Sequence, residues 1–189
     1  MAVKIKIDDI LKPSSDYPIQ NILVDTNIII NYEDPFSRVK SELNASTTHY
    51  LNILKGCYKV NSTIVNALEF FKYIQVGSYN IFIKTQPGHF EEYSTVEFKK
   101  LRKRNSDFSS TWDLRLKQFK KTFKKHFPPL DIEKDKIYSL NLITNFDGTE
   151  VDFGDNILYQ YALKTDYPLI ITSDRDFESF PNDLHVVFL

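Results

Sequence analysis

The chain has 189 residues, 42% of them hydrophobic, and a formal net charge of −1. This length supports one hydrophobic core, and the single cysteine, Cys57, excludes an intramolecular disulfide bond and suits a reducing compartment. We expect Cys57 to be buried as a small apolar residue. No apolar run has the length of a signal peptide or a membrane span, so we expect a soluble cytoplasmic protein with no membrane partner.

The first half of the chain predicts strands that alternate with helices. Val3–Ile7 alternates apolar and basic residues as an edge strand does, and Asn21–Thr26 has the continuous apolar character of a buried strand. The predicted elements that follow are short helices at Phe36–Leu43 and Thr48–Gly56, a strand at Cys57–Val60, and a helix over residues 61–74 that is capped by Asn61 or Ser62.

The last part of the chain continues the alternation. The predicted elements are a helix at Asp152–Asp166 capped by Asp152, a buried strand at Pro168–Asp174, a short turn at Arg175–Phe180 and a strand at His185–Leu189. Alternating strands and helices indicate an α/β fold with a mainly parallel sheet. We therefore predict a single domain over residues 1–189, a three-layer α/β/α arrangement interrupted by one insertion.

The insertion, at about residues 77–148, is strongly basic. Between Lys99 and Lys125 it has 11 basic and 2 acidic residues, a net charge of 11 − 2 = +9, so the rest of the chain carries −10. Such segregation indicates a polyanionic partner, although a solvated helix face accounts for it equally well. The candidate nucleic-acid-binding residues are Arg102, Arg104, Lys117, Lys120, Lys121, Lys124 and Lys125.

Three local patterns predict the structure of the insertion. Tyr79–Phe90 is typical of a strand with a Pro-Gly turn, and Ser94 stands at capping-box spacing from Glu97. The following helix has an aromatic stripe from Trp112 to Phe127, opposite its lysines, that is stopped by prolines. We expect this stripe to pack in the core and not to stack on nucleic-acid bases.

Acidic residues follow or flank several predicted elements. Asp25 ends the first buried strand, Asp174 ends a later one, Glu69 lies in the helix after the second strand, and Asp155 opens another helix. Because binding groups of parallel sheets gather at the carboxyl ends of the strands, we expect these side chains to converge. Two charges about 4 Å apart repel by about 4 kcal/mol at an effective dielectric of 20, and a hard divalent cation relieves that repulsion.

Four motifs in this order resemble the PIN-domain nucleases, which include ribonuclease toxins of bacterial toxin–antitoxin pairs. They are "LVDTN", "VNALEF", "FGDNILYQYAL" and "IITSDRDF", and they cover both ends of the chain but not the insertion. The resemblance implies hydrolysis of phosphodiester bonds, most closely those of RNA, with one or two Mg²⁺ or Mn²⁺ ions that activate water. It also implies an antitoxin or other inhibitory partner, and it leaves a homodimer open.

Carried over by position, the resemblance assigns catalytic and metal-binding roles to Asp25, Glu69, Asp155 and Asp174, with Asp176 as a further metal ligand. It implies supporting roles for Thr26, Asn27 and Thr172 beside these acids. Asp152, next to the third acid, is expected to support the site as a helix cap.

Each acid, taken singly, also suits a purely structural role. Asp25 and Asp155 suit helix caps or first turns, Glu69 suits an exposed helix face, and Asp174 and Asp176 suit a turn after a strand. A phosphatase of the haloacid-dehalogenase type is disfavoured because position 27 is asparagine, and the glycine-rich loop of nucleotide-binding folds is absent from "VDTNIIINY". The main alternative to a nuclease is an inactive PIN-like module that binds nucleic acid or protein.

Overall fold

One parallel sheet organises the part of the chain that the computed structural model describes, which comprises residues 1–11, 19–33, 41–86, 92–130 and 152–189. Its strands are β1 (Val3–Lys4), β2 (Asn21–Val24), β3 (Lys59–Asn61), β4 (Leu169–Thr172) and β5 (His185–Phe188). The spatial order is β1-β5-β4-β2-β3, and every neighbouring pair is parallel. β2 and β4, which precede the first and last predicted acids, are therefore neighbours.

Helices connect and cover these strands. They are α1 (Ile7–Ile10), α2 (Thr26–Glu33), α3 (Ser41–Cys57), α4 (Ile64–Lys84), α5 (Thr95–Arg104), α6 (Ser106–Lys121) and α7 (Phe153–Ala162). A π-helical turn (Thr122–His126) continues α6, and a 3₁₀ helix (Arg175–Ser179) follows β4. Within the described ranges, no helix is both long and apolar enough to cross a membrane.

Both faces of the sheet are buried. Ile22 and Val24 of β2 belong to one hydrophobic cluster with α2, α3 and α4, whereas Leu23 between them belongs to a second cluster with α7. This alternation follows from the period of two in a strand, and it explains why the strand is apolar at every position. The predicted α/β fold with a parallel sheet is confirmed, and two clusters on opposite faces are compatible with three layers.

The structure corrects four local predictions. Asn61 and Ser62 do not cap α4, because Thr63 accepts the capping hydrogen bond from the backbone of Asn66. The two short helices predicted before β3 are not separate, since α3 runs unbroken from Ser41 to Cys57; residues 36–40 lie outside the described residues. Cys57 is exposed, not buried.

The fourth correction concerns Tyr79–Lys84, which continues α4 and is not a strand. Tyr79 is only 1% exposed and packs edge-on against Tyr93 at 5.5 Å, while Phe82 packs against Phe108 at 5.1 Å. These contacts favour the helix over the local β propensity of the segment. The predicted turn at Pro87–Gly88 lies outside the described residues.

The described part of the insertion packs on α4 and shares its core. Phe98 of α5, Trp112 of α6 and Phe127 belong to the same hydrophobic cluster as Val24 of β2. The expectation that the aromatic stripe is part of the core is thus confirmed, and Ser94 caps α5 as predicted. Residues 131–148 of the predicted insertion lie outside the described residues.

Candidate active site

Asp25 occupies the first position after β2, at the carboxyl edge of the sheet. Its backbone N–H donates to the carbonyl of Ile171 in β4 at 2.9 Å, so the sheet pairing itself fixes its place. The residue is 7% exposed, and α2 begins immediately afterwards. One carboxylate oxygen of Asp25 accepts the backbone N–H of Thr26.

The other carboxylate oxygen of Asp25 joins it to the end of β4. Thr172 donates its hydroxyl hydrogen to Asp25 Oδ2 at 2.6 Å, and the Asn27 amide donates to the same oxygen at 2.7 Å. The hydroxyl of Thr172 accepts the backbone N–H of Asp174 at 2.9 Å. Asn27 also accepts the backbone N–H of Ser173 at 3.3 Å. Asp25 and Asp174 are therefore held at one edge by Thr172 and Asn27.

Glu69 reaches the same edge from α4. Its carboxylate accepts the hydroxyl hydrogen of Thr26, the residue after Asp25. The Thr26 hydroxyl in turn accepts from the side-chain amide of Asn66 at 3.0 Å. Asn66 is 2% exposed, and its carbonyl oxygen accepts both the backbone N–H and the hydroxyl of Thr63. A buried chain of hydrogen bonds thus orients Glu69.

The fourth carboxylate is supplied by the first turn of α7. Asp152 caps that helix by accepting the backbone N–H of Asp155 at 2.9 Å, as predicted. Gly154 stands directly against Glu69, since a Cβ atom at this position would lie 2.5 Å from Glu69 Oε1 and 3.1 Å from Asp152 Oδ1. The absence of a side chain at Gly154 allows α7 to approach α4 this closely.

The pKa values of three acids are raised in this environment. Burial raises the pKa of Asp25 to about 6, although the hydrogen bonds from Thr172 and Thr26 act in the opposite direction. Burial, followed by the charge of Asp152 and then those of Asp25, Asp174 and Glu69, raises the pKa of Asp155 to about 8. Asp25 and Asp155 thus each lie within electrostatic reach of Asp174 and Glu69.

Glu69 belongs to that environment even though its side chain as a whole is exposed. Its carboxylate end lies against Thr26 and Gly154, and this enclosure raises the pKa of Glu69, with the Thr26 hydrogen bond opposing and the charge of Asp152 adding to the shift. Raised carboxylate pKa values mean that negative charge is costly here, first because the groups are buried and then because other acids are near.

The donor chemistry suits a hard divalent cation. None of the ion pairs found among the described residues includes Asp25, Glu69, Asp155 or Asp174. Within the same residues, no three acidic, histidine or cysteine side chains are already spaced as the ligands of one metal ion. The set therefore provides carboxylate oxygens of the kind that Mg²⁺ and Mn²⁺ prefer, hydrogen-bonded in place but without an ion-pair partner or a preformed ligand cluster among the described residues.

The remaining predicted residues lie outside this cluster. Asp176 is exposed in the 3₁₀ helix, where its backbone N–H donates to Asp174 Oδ1 at 2.9 Å. Arg102 and Arg104 are exposed on α5, and the predicted lysines are exposed on α6 and the π-helical turn. Beside the acids, a groove of about 500 Å³ extends from Glu69 along α4 past Lys72 and Tyr73 to Asn80.

Two residues of the site, Asn66 and Gly154, were not predicted from the sequence. Asn66 precedes Glu69 by three positions, a spacing that places both on one side of a helix, and this signal could have indicated a shared role. Gly154 next to Asp155 in "FGDN" could have indicated a close backbone approach.

Comparisons with known proteins add no assignment. No protein-family model matches the chain, and no curated protein or solved structure matches it significantly.

Proposed function

We propose that the chain is a metal-dependent nuclease with a PIN-like fold, most closely an endoribonuclease, that hydrolyses phosphodiester bonds at the edge formed by Asp25, Glu69, Asp155 and Asp174. The observation that carries this proposal is geometric: Thr172 joins the Asp25 carboxylate to the backbone of Asp174, and Thr26, the residue after Asp25, donates to the Glu69 carboxylate. A cluster whose charges repel one another has a physical use where cations bind.

Mg²⁺ or Mn²⁺, when bound, would supply charge neutralisation and activation of water for attack on phosphorus. Asp25 and Asp174 are the candidates for direct ligands because Thr172 and Asn27 hold them together at the ends of β2 and β4. Glu69 reaches the same edge from α4, and the first turn of α7, which carries Asp155, lies against Glu69 at Gly154. Their raised pKa values suit groups that orient water or exchange a proton with it.

The supporting residues have separable tasks in this proposal. Thr172 and Asn27 satisfy the inner oxygen of Asp25, which leaves its position fixed in the absence of a cation. Thr26 and Asn66 restrict the carboxylate of Glu69. Hydrogen-bonded partners of this kind preserve the geometry of carboxylate ligands at metal sites.

The decisive experiment is digestion of a mixed pool of RNA and DNA by the purified protein with Mn²⁺, Mg²⁺ or EDTA. We expect cleavage of RNA that EDTA abolishes and that leaves a 5′-phosphate and a 3′-hydroxyl group. Asp25→Asn and Asp174→Asn should each remove cleavage while the protein stays folded by circular dichroism. A folded wild-type protein with no cleavage under any of these conditions would favour the binding module instead.

The role of a toxin with an antitoxin partner, and a homodimeric state, remain predictions that depend on the family resemblance. Inducible expression in a bacterial host tests the first. Growth arrest by the wild type, but not by Asp25→Asn, is the expected result.

A further inference from the structure

A line of exposed lysines marks the end of the described insertion. Lys117, Lys120 and Lys121 belong to the last turns of α6, and Lys124 and Lys125 belong to the π-helical turn; all five are exposed. Along the helix they form three groups, namely Lys117, the pair Lys120 and Lys121, and the pair Lys124 and Lys125. At a rise of about 1.5 Å per residue, neighbouring groups are about 5–6 Å apart. This spacing produces a positively charged face, defined here as the lysine face.

The aromatic rings opposite the lysine face are engaged in the core. Trp112 packs against Phe71 at 5.6 Å and Phe98 at 4.9 Å, and Phe119 packs against Phe71 at 5.4 Å. Trp112 is 1% exposed. Across the described residues 95–126, no exposed residue is aromatic. This surface therefore offers charge but no ring on which an unpaired base could stack.

The residues that follow the lysine face are hydrogen-bonded to the end of β3. This strand end belongs to the same sheet edge as Asp25, Glu69, Asp155 and Asp174, which is called the acidic edge from this point. Ser62, which follows β3, donates its hydroxyl to the carbonyl of Phe127 at 2.7 Å and its backbone N–H to the carbonyl of Pro128 at 3.1 Å. Thr63, the next residue, begins the hydrogen-bond chain through Asn66 and Thr26 to Glu69. The turn that carries Lys124 and Lys125 is thus joined to the acids through hydrogen-bonded residues.

A second anchor joins this turn to the far end of α2. His126 Nδ1 lies 2.5 Å from Glu33 Oε1, and Gln118 donates to the Glu33 carbonyl at 2.8 Å. The Lys55 amine lies 3.8 Å from the ring centre of Tyr32 and 3.9 Å from that of Phe127. The helix α2 begins at Thr26, beside the acidic edge, and ends at Glu33, which contacts the turn that carries Lys124 and Lys125. One short helix therefore contacts both features.

We infer that the lysine face binds the phosphate backbone of a polynucleotide without reading its bases and holds that strand beside the acidic edge. Lysine ammonium groups neutralise phosphates as point charges, which gives affinity that depends on salt and not on sequence. The inference rests on the proposed function for the identity of the polyanion, but the binding itself requires neither metal nor cleavage.

The test measures binding in EDTA with the Asp25→Asn protein, so that cleavage does not interfere. Fluorescence anisotropy with oligo(U), oligo(A) and an RNA duplex of equal length gives the affinity at several salt concentrations. The variant replaces Lys121, Lys124 and Lys125 by alanine, and its matched control replaces the exposed lysines Lys6, Lys59 and Lys164. Both triple variants change the net charge of the protein by the same amount.

We expect the lysine-face variant to bind about 100-fold more weakly at 0.1 M salt, with a slope of log K against log salt reduced by about 2. The loss of affinity in the control variant should be less than a tenth of the loss in the lysine-face variant. Oligo(U) and oligo(A) should bind with affinities equal within about threefold, because base stacking contributes little. Equal losses in both variants, unchanged affinity in the lysine-face variant, or a strong base preference would each overturn the inference. RNA cleavage by the wild type in Mn²⁺ is measured separately, so failure of binding and failure of the proposed function are distinguishable.

Discussion

Asp25 and Asp174 are joined by a single hydroxyl group. Thr172 donates to Asp25 Oδ2 at 2.6 Å and accepts the Asp174 backbone N–H at 2.9 Å, so the carboxylate of Asp25 is tied to the backbone of Asp174 although the two residues are more than a hundred positions apart. Because β2 and β4 are neighbours in the sheet, this contact follows from the topology. The arrangement holds negative charge in place at a cost that a cation would relieve.

Divalent metal should therefore stabilise the protein. At a Mn²⁺ concentration of about 100 times its Kd, binding to the folded state adds about 2.7 kcal/mol, which raises Tm by about 5–10 °C for a chain of this size. Differential scanning fluorimetry with Mn²⁺ or EDTA measures the shift. Asp25→Asn should abolish it, whereas Asp166→Asn, which changes an exposed carboxylate outside the cluster, should retain it. Metal-independent melting of the wild type would contradict this prediction.

The metal-free protein should lose stability as the pH rises from about 4 to 8. The pKa of Asp25 is raised to about 6 and that of Asp155 to about 8, so in this range the folded state holds protons that the unfolded state has released. Stability is thus greatest below the unfolded pKa of these groups and falls through their folded values. Urea unfolding in EDTA at several pH values measures the slope.

Asp155→Asn removes the carboxyl group whose pKa is raised further of the two. The variant should therefore show a smaller decrease in the free energy of unfolding between about pH 6 and 8. Saturating Mn²⁺ should oppose the fall, because the ion favours the ionised carboxylates. A wild-type stability that increases through this range in EDTA would contradict the raised pKa values of Asp25 and Asp155.

The sequence predicted the sheet-forming elements because both buried strands are continuous apolar runs bounded by polar residues. The position of each acid after or beside an element of a parallel sheet also led us to expect convergence at one edge. The structure links Asp25 to the Asp174 backbone through Thr172, and the Glu69 carboxylate to the residue after Asp25. The hydrogen bond between Thr26 and Asn66 could not be predicted from the sequence, because these residues are 40 positions apart and meet only in the packed fold.

Local patterns failed where tertiary packing outweighed propensity. Tyr79–Lys84 has the composition of a strand, yet its rings pack into the insertion as a continuation of α4. Thr63 caps that helix in place of the earlier polar residues because Ser62 is engaged with Phe127 and Pro128. Such long-range partners are invisible in a local window of sequence.

Loss of the Thr172 hydroxyl should destabilise the protein even when the size of the side chain is kept. Thr172→Val retains the shape of this fully buried side chain but leaves the Asp174 N–H without its acceptor and removes one donor to Asp25, so we expect a loss of about 1–3 kcal/mol in the free energy of unfolding. The matched control is Thr47→Val, because the Thr47 hydroxyl is also buried and has no hydrogen-bond partner among the described residues. That control should be neutral or slightly stabilising in urea unfolding, and equal losses in both variants would contradict a specific role for Thr172.

Gly154 should be required for the site and not for the fold. In Gly154→Ala, the new Cβ atom would lie 2.5 Å from Glu69 Oε1, so the flexible Glu69 side chain must move away from Thr26. We expect at least a tenfold loss of RNA cleavage and a smaller Tm shift with Mn²⁺, while the metal-free stability stays within about 1 kcal/mol of the wild type because alanine favours the helix. Gly56→Ala is the control, since a Cβ atom there meets no atom of the described part of the chain within 4 Å, and it should retain full cleavage. Full activity in Gly154→Ala would show that the carboxylate of Glu69 does not need its position against α7.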